Sequence, residues 1–153
     1  MRTVLTLTLA GTLAVAACGG PTLPPFKPVA DTKLLMQSVV DPNADFVWDA
    51  VKIIMTKDGE QDIRPKTDEQ WIAVRNAAVA VAESGNLLMM VPRAKNGGEW
   101  MTLAQDMINT GQEAIKAAEA KNAEKLFTVG GDIYESCSNC HRKYLDAIVN
   151  ANK

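Results

Sequence analysis

Two of the three cysteines and the only histidine of this 153-residue chain lie within five consecutive positions. Cys137 and Cys140 are three residues apart, and His141 follows directly. On a helix these positions share a face, so both thiols and the imidazole would be directed at one object. The C-x-x-C-H spacing is typical of c-type haem attachment, in which the two thiols form thioethers and the histidine ligates the iron. The sequence therefore predicts one covalently attached haem c per chain.

The same residues have three alternative uses. A structural zinc site needs four nitrogen or sulfur ligands, and beyond the motif the exported chain offers only Cys18. A thioredoxin-like redox pair belongs at the start of a helix that follows a strand, where the helix dipole lowers the thiol pKa. A disulfide between the two cysteines of the motif would close a loop too short to restrain much of the unfolded chain. The sequence favours haem attachment over each of these alternatives.

The elements that must position the motif are helical. Apolar residues recur at helical spacing from about residue 32 onwards, and no segment alternates with a period of two for long enough to predict a strand. A first helix is expected from the apolar face that begins at Leu35 and continues to Ile54. The dipeptide "DP" at 41–42 places a proline in this helix, so we expect it to kink or restart there.

Three further helices are expected. Thr67 to Gln70 ("TDEQ") form a capping box that predicts the start of the second helix, which should end before Pro92. The third should run from about Trp100, and Asn122 can cap the fourth, which carries the motif. Four amphipathic helices joined by short to moderate loops predict an all-α fold, namely an antiparallel up-down-up-down four-helix bundle with covalently attached haem.

Residues 1–17 form a segment of a different kind. A basic residue precedes an apolar run that ends in small residues, which is typical of a secretory signal. The sequence "VAACGG" resembles the lipobox of bacterial lipoproteins, so we expect cleavage before Cys18 and acylation of this cysteine. The alternative is ordinary cleavage after Ala16, which would leave an unacylated chain. Residues 18–31, rich in proline, are expected to tether the acylated cysteine to a single domain over residues 32–153.

The overall composition restricts the class of partner. The chain has 18 acidic and 16 basic residues, a net charge of −2, and 47% hydrophobic residues. This is the profile of one globular domain with enough apolar material for a core. Nucleic-acid binding requires clustered basic residues, so we expect no nucleic-acid partner.

The motif and its surroundings resemble a known family. An exported chain of four predicted helices with "CSNCHRKY" (137–144) in the last one resembles the class II cytochromes c, the cytochrome c′ family. The resemblance covers residues 32–153 and implies haem attachment through the two cysteines, with the histidine as an axial iron ligand. It also implies a haem contact by Tyr144 and allows a homodimer. One departure lies four residues past the histidine, where the family usually has Arg or Lys and this chain has Leu145.

The second axial ligand of the iron decides between two functions. Because the chain has only one histidine, ligation by two histidines of the same chain is excluded. Low-spin members of the family take a methionine from the first helix, and the resemblance gives Met36 this role, the alternative being a methionine that fills the core. Three other methionines are expected toward the same end of the bundle: Met89, Met90 and Met101. Met55 would lie too far along a continuous first helix.

These inferences predict a protein that carries single electrons in the periplasm at a membrane surface and is not an enzyme. Ligation by His141 and Met36 would keep the iron six-coordinate, which suits outer-sphere transfer to and from redox partner proteins. The alternative is a gas-binding protein, for nitric oxide or carbon monoxide, whose sixth haem site is vacant or displaceable. We expect the protein on the periplasmic side of a bacterial membrane, anchored by lipid at Cys18, the alternative being a soluble periplasmic protein.

Overall fold

The computed structural model describes residues 25–150, with side chains described as far as residue 145. The fold is mostly helical, as predicted, and contains one small antiparallel sheet. In chain order the elements are α1 (Thr32–Leu35), a π-helical segment (Met36–Val40), α2 (Asp41–Ala50), β1 (Lys52–Thr56), β2 (Gly59–Ile63), α3 (Asp68–Met89), α4 (Glu99–Glu119) and α5 (Ala123–Asn150). The predicted signal segment and Cys18 lie outside the described residues.

α1, the π-helical segment and α2 follow one another without a break over residues 32–50. The Asp31 side chain caps the start by accepting a hydrogen bond of 2.7 Å from the backbone N–H of Leu34. The proline after Asp41 has no N–H to donate to the preceding turn. The helix widens just before it, where the N–H of Asp41 donates to the carbonyl of Met36. The predicted interruption at this proline is therefore confirmed, in the form of a π-helical turn.

The predictions that the first helix continues to Ile54 and that the chain has no strands are wrong. The helix ends at Ala50, and β1 and β2 form an antiparallel hairpin in which Ile54 lies opposite Gln61. Lys57 and Asp58 form its turn, and Gly59, the first residue of β2, has a φ of 129°, a conformation that favours glycine. The β-branched side chains before this turn favour a strand. The local signal for a hairpin thus outweighs the helical spacing of apolar residues.

Two predicted helix starts are confirmed by their caps. The Thr67 hydroxyl accepts a hydrogen bond from the N–H of Gln70, whose side chain accepts one from the N–H of Thr67, so a capping box begins α3. The Asn122 side chain accepts a hydrogen bond of 2.8 Å from the N–H of Lys125 at the start of α5. This cap fixes the point from which the regular turns of α5 carry the motif.

α3 and α4 pack closely because glycines lie where the two helices meet. A Cβ atom on Gly111 would lie 2.8 Å from the Cβ of Ala82, and one on Gly85 would lie 2.7 Å from the backbone oxygen of Ala104. Such distances leave no room for a methyl group in a close-packed interior.

The buried core joins residues of all the longer helices. Val47 of α2, Val74 of α3, Trp100 of α4 and both Leu126 and Ile133 of α5 belong to one apolar cluster. α5 therefore packs its predicted apolar face against the rest of the fold. Within residues 25–150, no helix combines the length and the apolar character that spanning a bilayer requires.

Candidate haem site

A cavity of about 600 Å³ lies between the helical residues 32–50 and α5, and side chains from α3 and α4 complete its lining. This volume is in the range of about 300–1,000 Å³ that is usual for ligand and cofactor pockets. The predicted residues Met36, Cys137, Cys140 and His141 all line the cavity. The fold thus brings together side chains that are about a hundred residues apart in the sequence.

The face of α5 that carries the motif continues the face that packs in the core. Leu126 and Ile133 are fully buried, and helical spacing carries the same side of the helix onward to Cys137 and Cys140. Both cysteines are partly buried free thiols. His141 also lines the cavity but is exposed to solvent. Along one side, α5 therefore presents buried hydrocarbon, then two thiols, then an imidazole at the rim.

The thiols of the motif are in an environment that favours their neutral form. Burial raises the pKa of the Cys137 thiol, and a hydrogen bond with the side chain of Ser136 offsets part of this rise. Burial also raises the pKa of the Cys140 thiol, with a further contribution from the charge of Cys137. A reactive redox cysteine requires the opposite shift, toward thiolate. The structure therefore gives no support to a thioredoxin-like pair.

The wall opposite α5 is built from residues four apart in the sequence: Met36, Val40, Ala44 and Trp48. In a regular α-helix each residue turns by about 100°, so residues four apart drift around the axis by about 40°. A π-helical turn has more residues per turn and so reduces this drift. The widened turn between Met36 and Asp41 thus helps to keep Met36 on the side of the helix where Trp48 lies.

Two methionines line the cavity. Met36 is half-buried at the start of the π-helical segment, and Met107 of α4 is buried. The three methionines that the predicted topology places toward this end do not line it: Met89, Met90 and Met101. Helical spacing puts Met107 on one face of α4 with Ala104 and Gly111, but no feature of the sequence indicates that this turn of α4 faces the thiols.

Tyr144, for which the resemblance implies a haem contact, does not line the cavity. It is buried against Trp100, with ring centroids 5.0 Å apart in an edge-to-face arrangement. Its hydroxyl accepts a hydrogen bond of 2.9 Å from the Asn96 side chain. Tyr144 therefore joins the end of α5 to α4 and to the loop before it. Leu145 does line the cavity, so an apolar side chain occupies the position where the family usually has a cation.

Trp48 is held against α5 by polar and aromatic contacts. Its indole N–H donates a hydrogen bond of 2.9 Å to the backbone oxygen of Gly130. Its ring meets that of Tyr134 edge to face, with centroids 6.3 Å apart. Gly130 permits this approach, since a Cβ atom there would lie 3.2 Å from the Trp48 ring. Trp48 is thus fixed as part of the cavity wall.

The residues around the cavity fit a covalently held haem. Two thiols and an imidazole come from one wall, a thioether sulfur comes from the opposite wall, and most of the other lining side chains are apolar. This is the donor set and the surroundings that a haem of the c type uses. In the part of the chain that the structure describes, no three His, Cys, Asp or Glu side chains lie close enough together to hold a metal ion by themselves.

Comparisons of the chain with protein-family models, with curated proteins and with solved structures find no match.

Proposed function

We propose that this protein is a c-type cytochrome of the class II type, which carries single electrons at a bacterial membrane surface facing the periplasm. The observation that carries the proposal is the convergence of Cys137, Cys140 and His141 on a cavity whose opposite wall contains Met36. We further propose that the helices form the antiparallel four-helix bundle of that family. Contacts of α3 with α4, of α4 with α5, and of α2 with both α3 and α5 support this arrangement.

Each donor side chain has a defined task in this proposal. The thiols of Cys137 and Cys140 would hold the haem through thioethers, each S–H having added across one vinyl C=C bond. His141 would ligate the iron from the α5 side, and Met36 would offer a thioether from the opposite wall. When bound, the haem would supply an iron that changes between the ferrous and ferric states, at a potential that a thioether ligand raises.

The lining of the cavity suits electron transfer better than substrate chemistry. A mostly apolar shell limits the access of water to a redox centre and tunes its potential. Apart from His141, the charged side chains in the lining are Asp41 and Arg142, and both are exposed. Neither has the desolvated surroundings that tune a general acid or base. We therefore propose redox proteins of the periplasm or the membrane as partners, and no catalysed reaction.

The proposed location follows from the first part of the sequence. The lipobox-like "VAACGG" and the proline-rich residues 19–29 would anchor the domain through acylated Cys18 and hold it at the membrane surface. Export also fits the proposed cofactor, because c-type haem is attached outside the cytoplasm.

The proposal is tested by the link between haem and protein. The denatured holoprotein should keep its haem through acid–acetone extraction, whereas the double variant Cys137→Ser, Cys140→Ser should release it. Ser138→Ala is the matched control, because Ser138 lies between the two cysteines and lines the same cavity but has no thiol. Extraction of haem from the unmutated protein would contradict covalent attachment and with it the proposed function.

A further inference from the structure

One end of the molecule combines exposed apolar side chains with exposed basic ones. It comprises residues 25–34, the loop 90–98 between α3 and α4, and residues 141–145 of α5. We call it the tether end, because the chain that leads from the proposed anchor enters the folded domain here.

Hydrogen bonds hold the parts of the tether end together. The guanidinium group of buried Arg93 donates to the backbone oxygens of Ala30, at 3.0 Å, and Leu87, at 2.9 Å. Asn96, in the same loop as Arg93, donates to the hydroxyl of Tyr144 at 2.9 Å. The stretch of chain that leads into α1 is therefore fixed to the folded domain at this end.

Large apolar side chains are exposed at the tether end. Val29 is 98% exposed, Val91 81% and Phe26 79%, and Leu34 is half exposed. Single exposed apolar residues are common on protein surfaces, but a group of them at one end marks an interaction surface.

Basic side chains accompany the apolar ones. Four exposed lysines belong to the tether end. Lys143 pairs with Glu99, and the other three, called the tether-end lysines below, form no salt bridge within the described residues: Lys27, Lys33 and Lys95. Among the described carboxylates nearby, Asp31 caps α1 and Glu99 is the partner of Lys143. The chain as a whole has a net charge of −2. The tether end thus has a local charge opposite in sign to that of the whole protein.

We propose that the tether end is a membrane-contacting surface, in which its exposed apolar side chains enter the headgroup boundary and Lys27, Lys33 and Lys95 bind anionic lipid headgroups. An anionic bilayer binds surfaces of this kind, because apolar side chains enter the headgroup boundary and basic side chains are attracted to the anionic lipids. Chain length favours the same occupant, because only residues 18–24 separate the proposed anchor from the tether end, a reach of at most about 25 Å. The inference rests on the proposed function for the acyl group on Cys18, which brings this end to the membrane.

The contact would orient the proposed haem site. The cavity adjoins the tether end, because His141 and Leu145 belong to both and Met36 lies two residues beyond Leu34. A protein seated on this surface holds its cavity near the bilayer, where a membrane-bound redox partner can reach it.

Lysine footprinting on vesicles tests the orientation. Holoprotein with its native Cys18 is bound to vesicles of phosphatidylcholine, with or without phosphatidylglycerol, and acetylation of each lysine is followed by mass spectrometry. On the anionic vesicles the three tether-end lysines should react several-fold more slowly than without vesicles, and added salt should reverse this protection. Three exposed lysines at the opposite ends of the same helices and at the hairpin turn should not be protected: Lys57, Lys66 and Lys125.

Matched variants separate the surface from the anchor. A full-length Cys18→Ser chain, exported through an ordinary signal, has no acylation site, so its vesicle binding reports the surface alone. Its affinity for anionic vesicles should fall by about fivefold for each tether-end lysine replaced by glutamine. The same replacement of the three control lysines should leave the affinity unchanged.

Equal protection of lysines at both ends, or equal binding by the two sets of variants, would overturn the inference. Protection of the tether-end lysines by a purified redox protein but not by vesicles would assign this surface to a protein partner and overturn it too. Failure of the acylated protein to float with neutral vesicles would refute the lipid anchor. In that case salt-sensitive binding to anionic vesicles would still support the membrane-contacting surface, and its absence would overturn both.

Discussion

Met36 and Met107 are the two thioether side chains that line the cavity opposite or beside the thiols. Met107 is buried within the apolar cluster, as expected of a methionine that fills space. Met36 is half-buried and lies where the helix widens. Because π-helical turns are frequent at functional sites, we favour Met36 as the ligand opposite His141.

Met36→Ala should therefore abolish the weak charge-transfer absorption of a sulfur-ligated ferric haem, lower the reduction potential and allow carbon monoxide to bind. The reason is that a thioether ligand favours ferrous iron, and its loss leaves a mostly apolar space for a small neutral molecule. Met107→Ala is the control. It should keep the absorption band and lose about 2–5 kcal/mol of stability, the usual cost of a cavity at a buried methionine.

Optical spectra, carbon monoxide titration and thermal unfolding of the two variants decide the matter. If only Met107→Ala loses the band, Met107 and not Met36 is the ligand, and the proposed electron transfer still stands. A native protein that shows no band and binds carbon monoxide readily would favour the gas-binding alternative.

Tyr144 is a second residue whose role can be separated from the haem. Tyr144→Phe should lower the free energy of unfolding by about 1 kcal/mol, because it removes the hydrogen bond from Asn96. It should not alter the haem spectrum, since Tyr144 does not line the cavity. Tyr134→Phe, at a largely exposed position, should change stability by less than about 0.5 kcal/mol. A changed spectrum in Tyr144→Phe would restore the haem contact that the family resemblance implies.

At the scale of helices, the contact between α3 and α4 depends on the absence of side chains. Gly111→Ala should destabilise the protein by about 1–3 kcal/mol, because the new methyl group would overlap Ala82. Gly131→Ala is the matched control on α5, where a Cβ atom would meet nothing within 4 Å. It should stabilise the protein by up to about 1 kcal/mol, since alanine favours a helix over glycine. Urea unfolding measures both, and similar changes for the two variants would contradict the close approach of the helices.

The helices could be predicted where a local rule decides them. The capping box at Thr67 and the Asn122 cap depend on neighbouring residues, and the structure has both. The hairpin was missed because Ile54 also fits a helical apolar face, and only the turn at Asp58 distinguishes a strand from a helix there. The intrinsic helix and strand propensities of the few residues in β1 do not settle the choice between helix and strand.

The candidate site could be predicted only in part, for a related reason. The motif is compact in sequence, so Cys137, Cys140 and His141 could be grouped without a structure. The position of Met107 depends on how α4 is rotated against its neighbours, and that follows from packing at residues such as Gly111. The sequence does not specify such rotations residue by residue.

At the scale of the whole molecule, the two ends have different properties. The tether end has the exposed Lys27, Lys33 and Lys95, and the chain that leads into α1 is hydrogen-bonded to the domain there. The cavity adjoins this end. The hairpin lies toward the other end, near the start of α5, since Ile53 and Asp62 share a surface groove with Ala123 and Phe127. If the tether end rests on a membrane, the hairpin projects away from it.

The hairpin has a consequence for how the protein behaves at high concentration. β1 pairs only with β2 within the described residues, so its other edge has backbone groups free to pair, and Met55 is 74% exposed on it. Such an apolar edge is a template for strands of other molecules and promotes aggregation.

Met55→Lys should slow heat-induced aggregation, measured by light scattering, because a charge on an edge strand opposes stacking. Ile72→Lys, at an exposed helical position, should have a much smaller effect. Equal rates for both variants would show that general charge, and not this edge, sets colloidal stability.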